Sequence, residues 1–588
     1  MTVGLDVLSP APGAGIAGSR IRDESFVLES WGWSSRPEEC LPKISAIESL
    51  VNLGAPDPVA SVGYQSRGNV LVIAGDAPAR ARAAARELAS TLHVTFIESA
   101  AATGASEPFA AWSGRIETLT GYLGEFTVTI AQLRTAAAPA APAAAAKFDL
   151  VLDFSPTPLL AMRQPPQGYH PAPADEAALV RVLAELRESV GEFEKPKYFA
   201  YRENICAHSR SEVQGCNACI EICSTQAIVP DGDHVKVDPH LCMGCGACST
   251  VCPSGAMGYQ FPRVAERGAQ MKQLLSAYRF AGGADACIVF HNGSDGRELL
   301  ARAAASGLGL PARALPLETW HVAAIGLDLL LPAIAFGAKQ VVVLAAGSED
   351  AEYLAALRAQ MAIGQAVLSQ LGFSGTHFAV IEAATPEAMA GAFQALAPAS
   401  GAAVPATFLL GNDKRTAIEF AVEHLAKHAP TPVEAISLPA GSPYGEVRVD
   451  KAKCTMCMAC VGACPESALM DGVDQPLLKF LERNCVQCGL CENTCPEEAI
   501  ALAPRLLLTP AAREARVLNE TQPFHCVRCD KPFGTRQMVD AMMGRLAGHS
   551  MFAQGDALRR LQMCADCRVT DMMSSKNEVS VLRLGADS

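Results

Sequence analysis

The feature that most constrains this chain is a cysteine spacing that occurs three times. Each copy reads Cys-x2-Cys-x2-Cys-x3-Cys-Pro, and cysteine makes up only 22 of the 588 residues, so chance does not account for three copies. Three thiolates on one tight loop can bind three corners of a cubane [4Fe–4S] cluster, and the fourth thiolate then comes from a neighbouring repeat. The spacing therefore predicts iron–sulphur clusters. The copies are Cys242/Cys245/Cys248/Cys252 with Pro253 (motif 2), Cys454/Cys457/Cys460/Cys464 with Pro465 (motif 3) and Cys485/Cys488/Cys491/Cys495 with Pro496 (motif 4).

A fourth stretch, motif 1, departs from this spacing. It reads Cys206-x9-Cys216-x2-Cys219-x3-Cys223 and is followed by a serine, while Val213 stands where the regular spacing would put a thiolate. Two hypotheses follow: Cys206 reaches in from the insertion, or the site holds a three-iron cluster. The cysteine retained at the start of the insertion favours the first. His208 is expected to lie beside the site or on the surface rather than to bind metal.

The four motifs form two tandem pairs that closely resemble bacterial dicluster ferredoxins, in which the last cysteine of each motif binds the cluster of its neighbour. Zinc is the alternative, but zinc sites usually use two separated cysteine pairs rather than triplets. The resemblance implies four [4Fe–4S] clusters, at sites numbered here 1 to 4. Their ligands would be Cys206, Cys216, Cys219 and Cys252 at site 1; Cys242, Cys245, Cys248 and Cys223 at site 2; Cys454, Cys457, Cys460 and Cys495 at site 3; and Cys485, Cys488, Cys491 and Cys464 at site 4.

Two further cysteine pairs lie near the C-terminus. Cys526-x2-Cys529 and Cys564-x2-Cys567 can supply a tetrahedral metal site, and a structural zinc is the prediction, with a fifth iron–sulphur cluster as the competitor. A helix is predicted between the pairs, at TRQMVDAMMGRL. The nearby histidines, His525 and His549, are expected to be bystanders. Cys40 and Cys287 have no partner pattern, and Cys287 is expected to be a small buried residue of a strand.

The remainder of the chain reads as α/β structure. Its length predicts three to five domains, and 50% hydrophobic residues supply several packed cores. Residues 69–98 read strand, helix, strand, with another strand at 148–155, and 280–440 alternates strands, including TFLLG, with helices. AIVPDGDHVKVD, between motifs 1 and 2, reads as a hairpin. The Ala/Pro-rich run at 135–147 reads as a linker or loop insertion.

The predicted fold class is α/β plus α+β. Rossmann-like parallel-sheet domains are interleaved with two bacterial-type dicluster ferredoxin modules and followed by a C-terminal zinc-ribbon-like module with four cysteines. The predicted segments are an N-terminal α/β domain at 1–195, a ferredoxin module at 196–262, a central α/β domain at 263–446, a second ferredoxin module at 447–505 and the metal-binding module at 506–588.

Several classes of function are disfavoured. The net charge is −13 and aromatic residues make up 6%, so a nucleic-acid partner is not expected. The apolar stretch 321–347 contains Asp328, Pro332 and Lys339 and reads as a buried helix followed by a strand, not as a membrane span. The N-terminus shows no secretory signal, so we expect reduced cysteines and a cytoplasmic location.

No self-contained substrate-converting site is apparent in the sequence. It has no P-loop, GxSxG or HExxH motif. The GxGxxG match at Gly13, Gly15 and Gly18 follows SPAP instead of a buried strand, so we expect a flexible arm there. Catalysis by this chain alone is therefore left open, and its cysteines point to electron transfer.

The whole pattern resembles one group of proteins. CAHS…GCNAC, the ferredoxin-type repeats and HCVRCDKPF…MCADCRV together are similar to bacterial multi-cluster 4Fe–4S proteins found among formate dehydrogenase accessory genes. The resemblance implies an electron relay to or from a redox partner protein, formate dehydrogenase in particular. The alternative is an accessory or maturation factor for a molybdenum or tungsten formate dehydrogenase.

Overall fold

The computed structural model describes residues 37–54, 56–99, 107–135, 138–347, 349–473, 475–549, 552 and 555–574. The glycine motif at Gly13–Gly18 lies outside these residues. The chain divides into two compact units, and each is described by itself. The first comprises residues up to Arg202, Asn217–Asp231 and Val235–Thr431, and the second comprises Glu203–Cys216, Gly232–His234 and the chain from Pro432 onward. The five-segment division stays a prediction.

The helices and strands of the first half of the chain run from the N-terminal sheet through motifs 1 and 2. In chain order they are α1 (Pro37–Glu48), β1 (Ser61–Ser66), β2 (Asn69–Ile73), α2 (Pro78–Leu88), β3 (His93–Glu98), β4 (Ala110–Thr120), β5 (Phe126–Thr135), β6 (Ala138–Phe148), β7 (Leu150–Asp153), β8 (Tyr169–Pro171), α3 (Glu176–Glu188), β9 (Gly191–Pro196), β10 (Phe199–Tyr201), β11 (Ser209–Arg210), β12 (Val213–Gln214), α4 (Ala218–Ile222), β13 (Ile228–Asp231), β14 (His234–Val237), α5 (Ala247–Val251) and β15 (Met257–Tyr259).

The second half holds the central sheet, motifs 3 and 4 and the C-terminal segment. Its elements are α6 (Val264–Phe280), β16 (Cys287–Asn292), α7 (Asp295–Ala305), β17 (Ala314–Thr319), α8 (Leu327–Ala335), β18 (Gln340–Ala345), α9 (Ala351–Gln370), β19 (Phe378–Glu382), α10 (Pro386–Ala395), α11 (Lys414–Lys427), β20 (Ala435–Ser437), β21 (Gly445–Val449), α12 (Ala459–Ala463), β22 (Leu469–Asp471), β23 (Leu477–Phe480), α13 (Leu490–Thr494), β24 (Ile500–Leu507), β25 (Arg516–Glu520), β26 (Pro523–His525), β27 (Pro532–Thr535), α14 (Arg536–Leu546), α15 (Gly555–Leu561) and α16 (Ala565–Ser574).

The first unit contains a large sheet built around the predicted strand–helix–strand segment. The strand order in the described residues is β6-β5-β4-β3-β2-β7-β8, and β2 pairs in parallel with both β3 and β7. The linker prediction at 135–147 is wrong, because β6 pairs antiparallel with β5 from Phe126↔Phe148 to Thr135↔Ala138. Backbone pairing with an adjacent strand overrides the weak strand preference of an Ala/Pro-rich sequence.

The first unit also contains the predicted parallel sheet of the central region. Its order in the described residues is β17-β16-β18-β19, and every pairing is parallel. All residues of β16, β17 and β18 are buried, as expected for strands covered by helices on both faces. The helix and strand predicted within 321–347 are confirmed as α8 and β18. Across the described residues, no helix is both long and apolar enough to span a membrane.

The strand predicted at TFLLG (407–411) is absent from this sheet. The segment is irregular and runs along α6, where the Lys272 ammonium donates to the carbonyl oxygens of Thr407 and Phe408, the latter at 2.9 Å. Because a side chain donates hydrogen bonds to these carbonyl groups, they do not require hydrogen bonds from a neighbouring strand.

The second unit carries motifs 3 and 4. Strand β24 pairs with β20 and β21, and β23 pairs with β22 and β25. A core of apolar side chains and motif cysteines lies between them and includes Phe480, Leu478 and Cys460.

The helix predicted between the C-terminal cysteine pairs is confirmed as α14, and the hairpin predicted between motifs 1 and 2 is confirmed as β13 and β14. The fold is therefore mixed α/β.

Candidate iron–sulphur and metal centres

Motifs 2, 3 and 4 share one loop geometry. Left-handed backbone conformations flank the second cysteine of each motif, so that the loop curls tightly around its three thiols. A helix of five residues then carries the third cysteine, and the last cysteine caps that helix. The left-handed residues are Gly244 and Gly246 in motif 2, Met456 and Met458 in motif 3, and Gln487 and Gly489 in motif 4.

The cysteines predicted for site 2 line one cavity in the first unit. The four side chains come from both motifs of the pair: Cys223 from motif 1, and Cys242, Cys245 and Cys248 from motif 2. Burial raises the pKa of Cys242 to about 11, and the neighbouring Cys245 and Cys223 act in the same direction, against an amide hydrogen bond at Gly244. The four thiols lie so close together that each raises the pKa of its neighbours. A bound cation would stabilise them as thiolates, so they form a suitable set of metal ligands.

Polar groups surround site 2 on two sides. The Lys195 ammonium donates to the carbonyl oxygen of Cys242 at 2.7 Å, and burial lowers its pKa to about 8. On the other side the Tyr353 hydroxyl forms hydrogen bonds with Ser224 and with the Cys245 thiol. Tyr353 is distant from the motifs in the sequence, whereas Lys195 precedes motif 1 by 11 positions, and no sequence signal identified either residue.

The cysteines predicted for site 3 also line one cavity, in the second unit. It is enclosed by Cys454, Cys457 and Cys460 together with Cys495 from motif 4. Burial is the largest cause of the raised pKa of Cys460, which is about 12, and the charges of Cys457, Cys454 and Cys495 act in the same direction. The neighbouring motif thus supplies the fourth thiol.

Site 4 shows the reciprocal arrangement. Burial raises the pKa of Cys488 to about 12, opposed by a hydrogen bond from the Leu490 amide and reinforced by the thiols of Cys464 and Cys485. Burial also raises the pKa of Cys491, and Cys485, Cys488 and Cys464 act with it. Cys464 of motif 3 therefore lies among the thiols of motif 4.

The insertion of motif 1 folds into a hairpin. Strands β11 and β12 pair antiparallel, and the Cys216 amide donates to the Ala207 carbonyl oxygen at 2.8 Å. The hairpin brings Cys206 back beside Cys216, while Val213 lies in strand β12. His208 is buried, and its Nδ1 donates to the Cys216 carbonyl oxygen at 3.1 Å.

Cys219 and Cys252, the other two cysteines predicted for site 1, belong to the first unit. The Lys414 ammonium donates to the Cys252 carbonyl oxygen at 3.0 Å. The ligand set of site 1 stays a prediction.

The last cysteine of every motif accepts a backbone hydrogen bond. An amide four or five residues further along points at its sulphur, so a thiolate at that position is partly neutralised. The donors are Ala227 to Cys223 at 3.3 Å, Met257 to Cys252 at 3.4 Å, Ala468 to Cys464 at 3.2 Å and Ala499 to Cys495 at 3.4 Å.

The four C-terminal cysteines form a compact group in the second unit. The sulphurs of Cys526, Cys529, Cys564 and Cys567 all lie within 4.8 Å of one another. Burial acts to raise the pKa of Cys526, but backbone hydrogen bonds from Cys564, Arg528 and Cys529 outweigh it and lower the pKa to about 6. His525 and His549 are not part of this set, and the His525 ring bonds instead to the Asp530 carbonyl oxygen.

The two cysteines without a motif lie elsewhere. Cys287 is 1% exposed in β16, which confirms the expectation that it is a buried strand residue. Cys40 is buried in α1. Both act electrostatically on the buried Lys43, whose ammonium donates to the carbonyl oxygens of Leu310 and Pro311. This group is a satisfied buried lysine with two thiols nearby.

Comparison with known proteins identifies the motif-bearing segments. The model of a 4Fe–4S dicluster domain matches residues 214–256, and that of a 4Fe–4S binding domain matches 447–470 and 479–501. A protein named Ferredoxin 7Fe from Hydrogenibacillus schlegelii is 37% identical over 43 residues, 7% of this chain and 55% of that protein. A protein named Ferredoxin from Alicyclobacillus acidocaldarius subsp. acidocaldarius is 44% identical over 39 residues, 7% of this chain and 50% of that protein.

The chain spans about half the length of these curated relatives. The matched segments contain all cysteines of motifs 2, 3 and 4 and the last three of motif 1, while Cys206 lies outside them. The prediction of ferredoxin-type iron–sulphur modules is therefore confirmed for these segments: the chain contains two regions that match 4Fe–4S binding domains.

Proposed function

We propose that this chain is an electron relay that carries four [4Fe–4S] clusters, one at each of sites 1 to 4. The observation that carries the proposal is that four thiols from two motifs line each of the cavities at sites 2 and 3. A [4Fe–4S] cluster, once bound, accepts and releases one electron at a potential set by its surroundings. The protein contributes the thiolates, burial and the hydrogen bonds to sulphur.

Inside each unit, cysteines of different sites lie close enough to influence one another. In the first unit, Cys219 of site 1 is among the charges that raise the pKa of Cys248 at site 2, after burial and the thiols of site 2 itself. In the second unit, Cys216 of site 1 acts likewise on Cys488 of site 4.

The packing around Cys216 supports the junction with site 4. The Asn493 side-chain amide donates to the Gln214 carbonyl oxygen at 3.1 Å, and Gly215 lies where any added Cβ would meet Leu490 at 2.7 Å. At the far side, Cys460 of site 3 contributes to the raised pKa of Cys491 at site 4, after burial and the thiols of site 4. We propose that electrons pass between sites 3 and 4 within the second unit.

We further propose that the C-terminal cysteines hold one structural zinc in a zinc-ribbon-like module. A tetrahedral metal with metal–sulphur bonds of about 2.3 Å sets its four sulphurs about 3.8 Å apart. The sulphurs of Cys529 and Cys564 are 3.7 Å apart, which suits a single metal ion. In a cubane each thiolate would bind a different iron, so its thiolates would be more widely separated. The module would brace site 3, since the Thr535 hydroxyl donates to the Thr455 carbonyl oxygen at 3.1 Å.

We infer that the parallel sheets of the first unit are Rossmann-like and support site 2. The electron partner proposed is a redox enzyme, with formate dehydrogenase the candidate from the sequence resemblance. We expect a cytoplasmic location, because reduced thiols assemble clusters readily in a reducing compartment.

Anaerobic affinity purification followed by stopped-flow reduction tests the proposal. A relay would be reduced by the captured enzyme and its substrate as fast as that enzyme turns over. A chain that binds only the cofactor-free enzyme, and is not reduced by the complete one, would instead be a maturation factor. The matched control is a chain with Cys245 and Cys460 both replaced by Ser, which should still be captured but lose the reduction signals of sites 2 and 3.

A further inference from the structure

A cavity of about 320 Å³ opens in the first unit and is separate from the cysteine sites. It lies at the carboxyl ends of two parallel strands: Gly293 and Ser294 follow β16, while Thr319 and Trp320 end β17. Ligands of open parallel sheets bind at this edge, and the volume falls in the range of small-molecule sites.

The walls of the cavity combine aromatic faces with buried polar groups. Trp320 and Phe261 meet edge to face with their ring centroids 5.9 Å apart. Beneath them, the Arg267 guanidinium is buried and donates to the carbonyl oxygen of Glu318 and to Gln270. The Glu318 carboxylate is also buried and accepts from Arg297 at 2.7 Å. Such a wall suits a flat ring whose edge carries hydrogen-bonding atoms.

The charged residues of the cavity indicate the charge of its ligand. The three carboxylates that line it already have protein partners: Asp57 pairs with Arg263 at 2.9 Å, Glu318 accepts from Arg297, and Glu266 accepts from the backbone amides of Asp57 and Arg263. Among the described residues, the lining therefore offers no unmatched charge that would bind an ionic group. The ligand is therefore uncharged.

The aromatic wall also borders site 2. Trp320 stacks on Tyr198 with centroids 5.6 Å apart, and its indole N–H donates to the Met243 carbonyl oxygen at 3.4 Å. Tyr198 in turn packs on Cys242 and lines the cysteine cavity. A ring held against Trp320 would thus be separated from site 2 by two stacked side chains.

We propose that this cavity binds an uncharged, planar, two-electron ring of the quinone or flavin type, which exchanges electrons with site 2. Full reduction of the ring takes up two electrons and two protons. Two successive one-electron oxidations of the reduced chain at site 2 would supply the electrons, and water at the cavity mouth the protons. The proposal that the ring binds in this cavity is independent of the proposed function, whereas the proposal of electron exchange rests on it.

Calorimetric titration of the anaerobically purified full chain tests the binding, with menadione and lumiflavin as the probes. Val59 lines the cavity from a loop, so V59F should fill it and weaken binding at least tenfold. The control is V180F, at a residue 61% exposed on α3, which should bind as the native chain does. Binding of either probe, lost in V59F, supports the proposal and identifies the ring type. No saturable binding of either probe, or equal binding by V59F, overturns it.

Reoxidation of the dithionite-reduced chain by the bound ring tests the electron exchange. V59F should slow the recovery of iron–sulphur absorbance at least tenfold relative to V180F. Equal rates would overturn the exchange while leaving the binding result in place. Native iron content and electron-spin-resonance signals in both variants separate a failure of this inference from a failure of the relay itself.

Discussion

The sulphurs of Cys529 and Cys564 lie 3.7 Å apart, although the two residues are separated by 35 positions in the sequence. A single tetrahedral metal ion, as proposed above, would account for that spacing. The metal would close a long loop, and its binding energy would then be folding energy for the C-terminal segment.

We therefore expect C529S and C564S each to lose one zinc per chain. The segment from Pro523 to Ser574 should become sensitive to protease, while the visible iron–sulphur absorbance stays nearly unchanged. Elemental analysis and limited proteolysis measure both effects, with C40A as the control that alters a cysteine outside every motif. Iron in place of zinc in the native chain would identify a fifth redox centre instead.

The native chain, purified anaerobically, should contain about 16 iron atoms and about 16 acid-labile sulphides, four of each per cluster. Elemental analysis and a sulphide assay give both numbers. About eight iron atoms would contradict the relay, and about 15 would mean that site 1 holds three irons.

Replacement of Cys464 by Ser should damage site 4 rather than site 3. Cys464 acts on Cys488 and Cys491, whereas the cavity of site 3 is lined by Cys495. Spin-resonance spectra of the reduced C464S and C495S variants should lose different signals. If C464S removed the signal that C460S also removes, the crossed ligand sets would be wrong.

Gln487 provides a test of how a hydrogen bond to sulphur sets the reduction potential of site 4. Its side-chain amide donates to the Cys485 sulphur at 3.2 Å, and such donors stabilise the more negative, reduced cluster. Q487E removes the donor and should lower the reduction potential of site 4 in an anaerobic redox titration. Q475E adds the same charge at an exposed position outside the motifs and should leave that potential unchanged.

Glu482 holds two arginines beside motif 4. Its carboxylate accepts from Arg505 at 2.7 Å and from Arg516 at 2.5 Å, and its side chain is 5% exposed. Burial opposes ionisation, but the hydrogen bonds from both arginines outweigh it and lower the pKa of Glu482 below its usual 4.5. E482Q should cost about 2 to 3 kcal/mol of unfolding free energy, since charged hydrogen bonds are lost.

The sign of the pH dependence follows from the lowered pKa. The stabilisation by Glu482 is complete above about pH 4.5 and is lost as the pH falls through the lower folded-state pKa. Urea unfolding followed by circular dichroism measures it, with E117Q as the control, because Glu117 forms an exposed pair with Arg115. An E482Q chain as stable as E117Q at neutral pH would contradict the assignment.

The cysteine spacing alone determined the ferredoxin-type modules, since three thiols within seven residues can only be brought together by a tight local loop. The same holds for the strand–helix alternation around β2 and β16, where local apolar patterning decides the element. Local pattern misled at 138–148 and at TFLLG, where a strand partner or the Lys272 ammonium decided the conformation.

Only the tertiary structure placed Lys195, Tyr353 and Lys414 around the motifs and closed a cavity between Val59, Arg267 and Trp320. These residues are each far from their partners along the chain and carry no spacing signal of their own. Their positions follow from how the sheets and helices pack, because contacts between distant segments are set by the fold as a whole rather than by neighbouring residues.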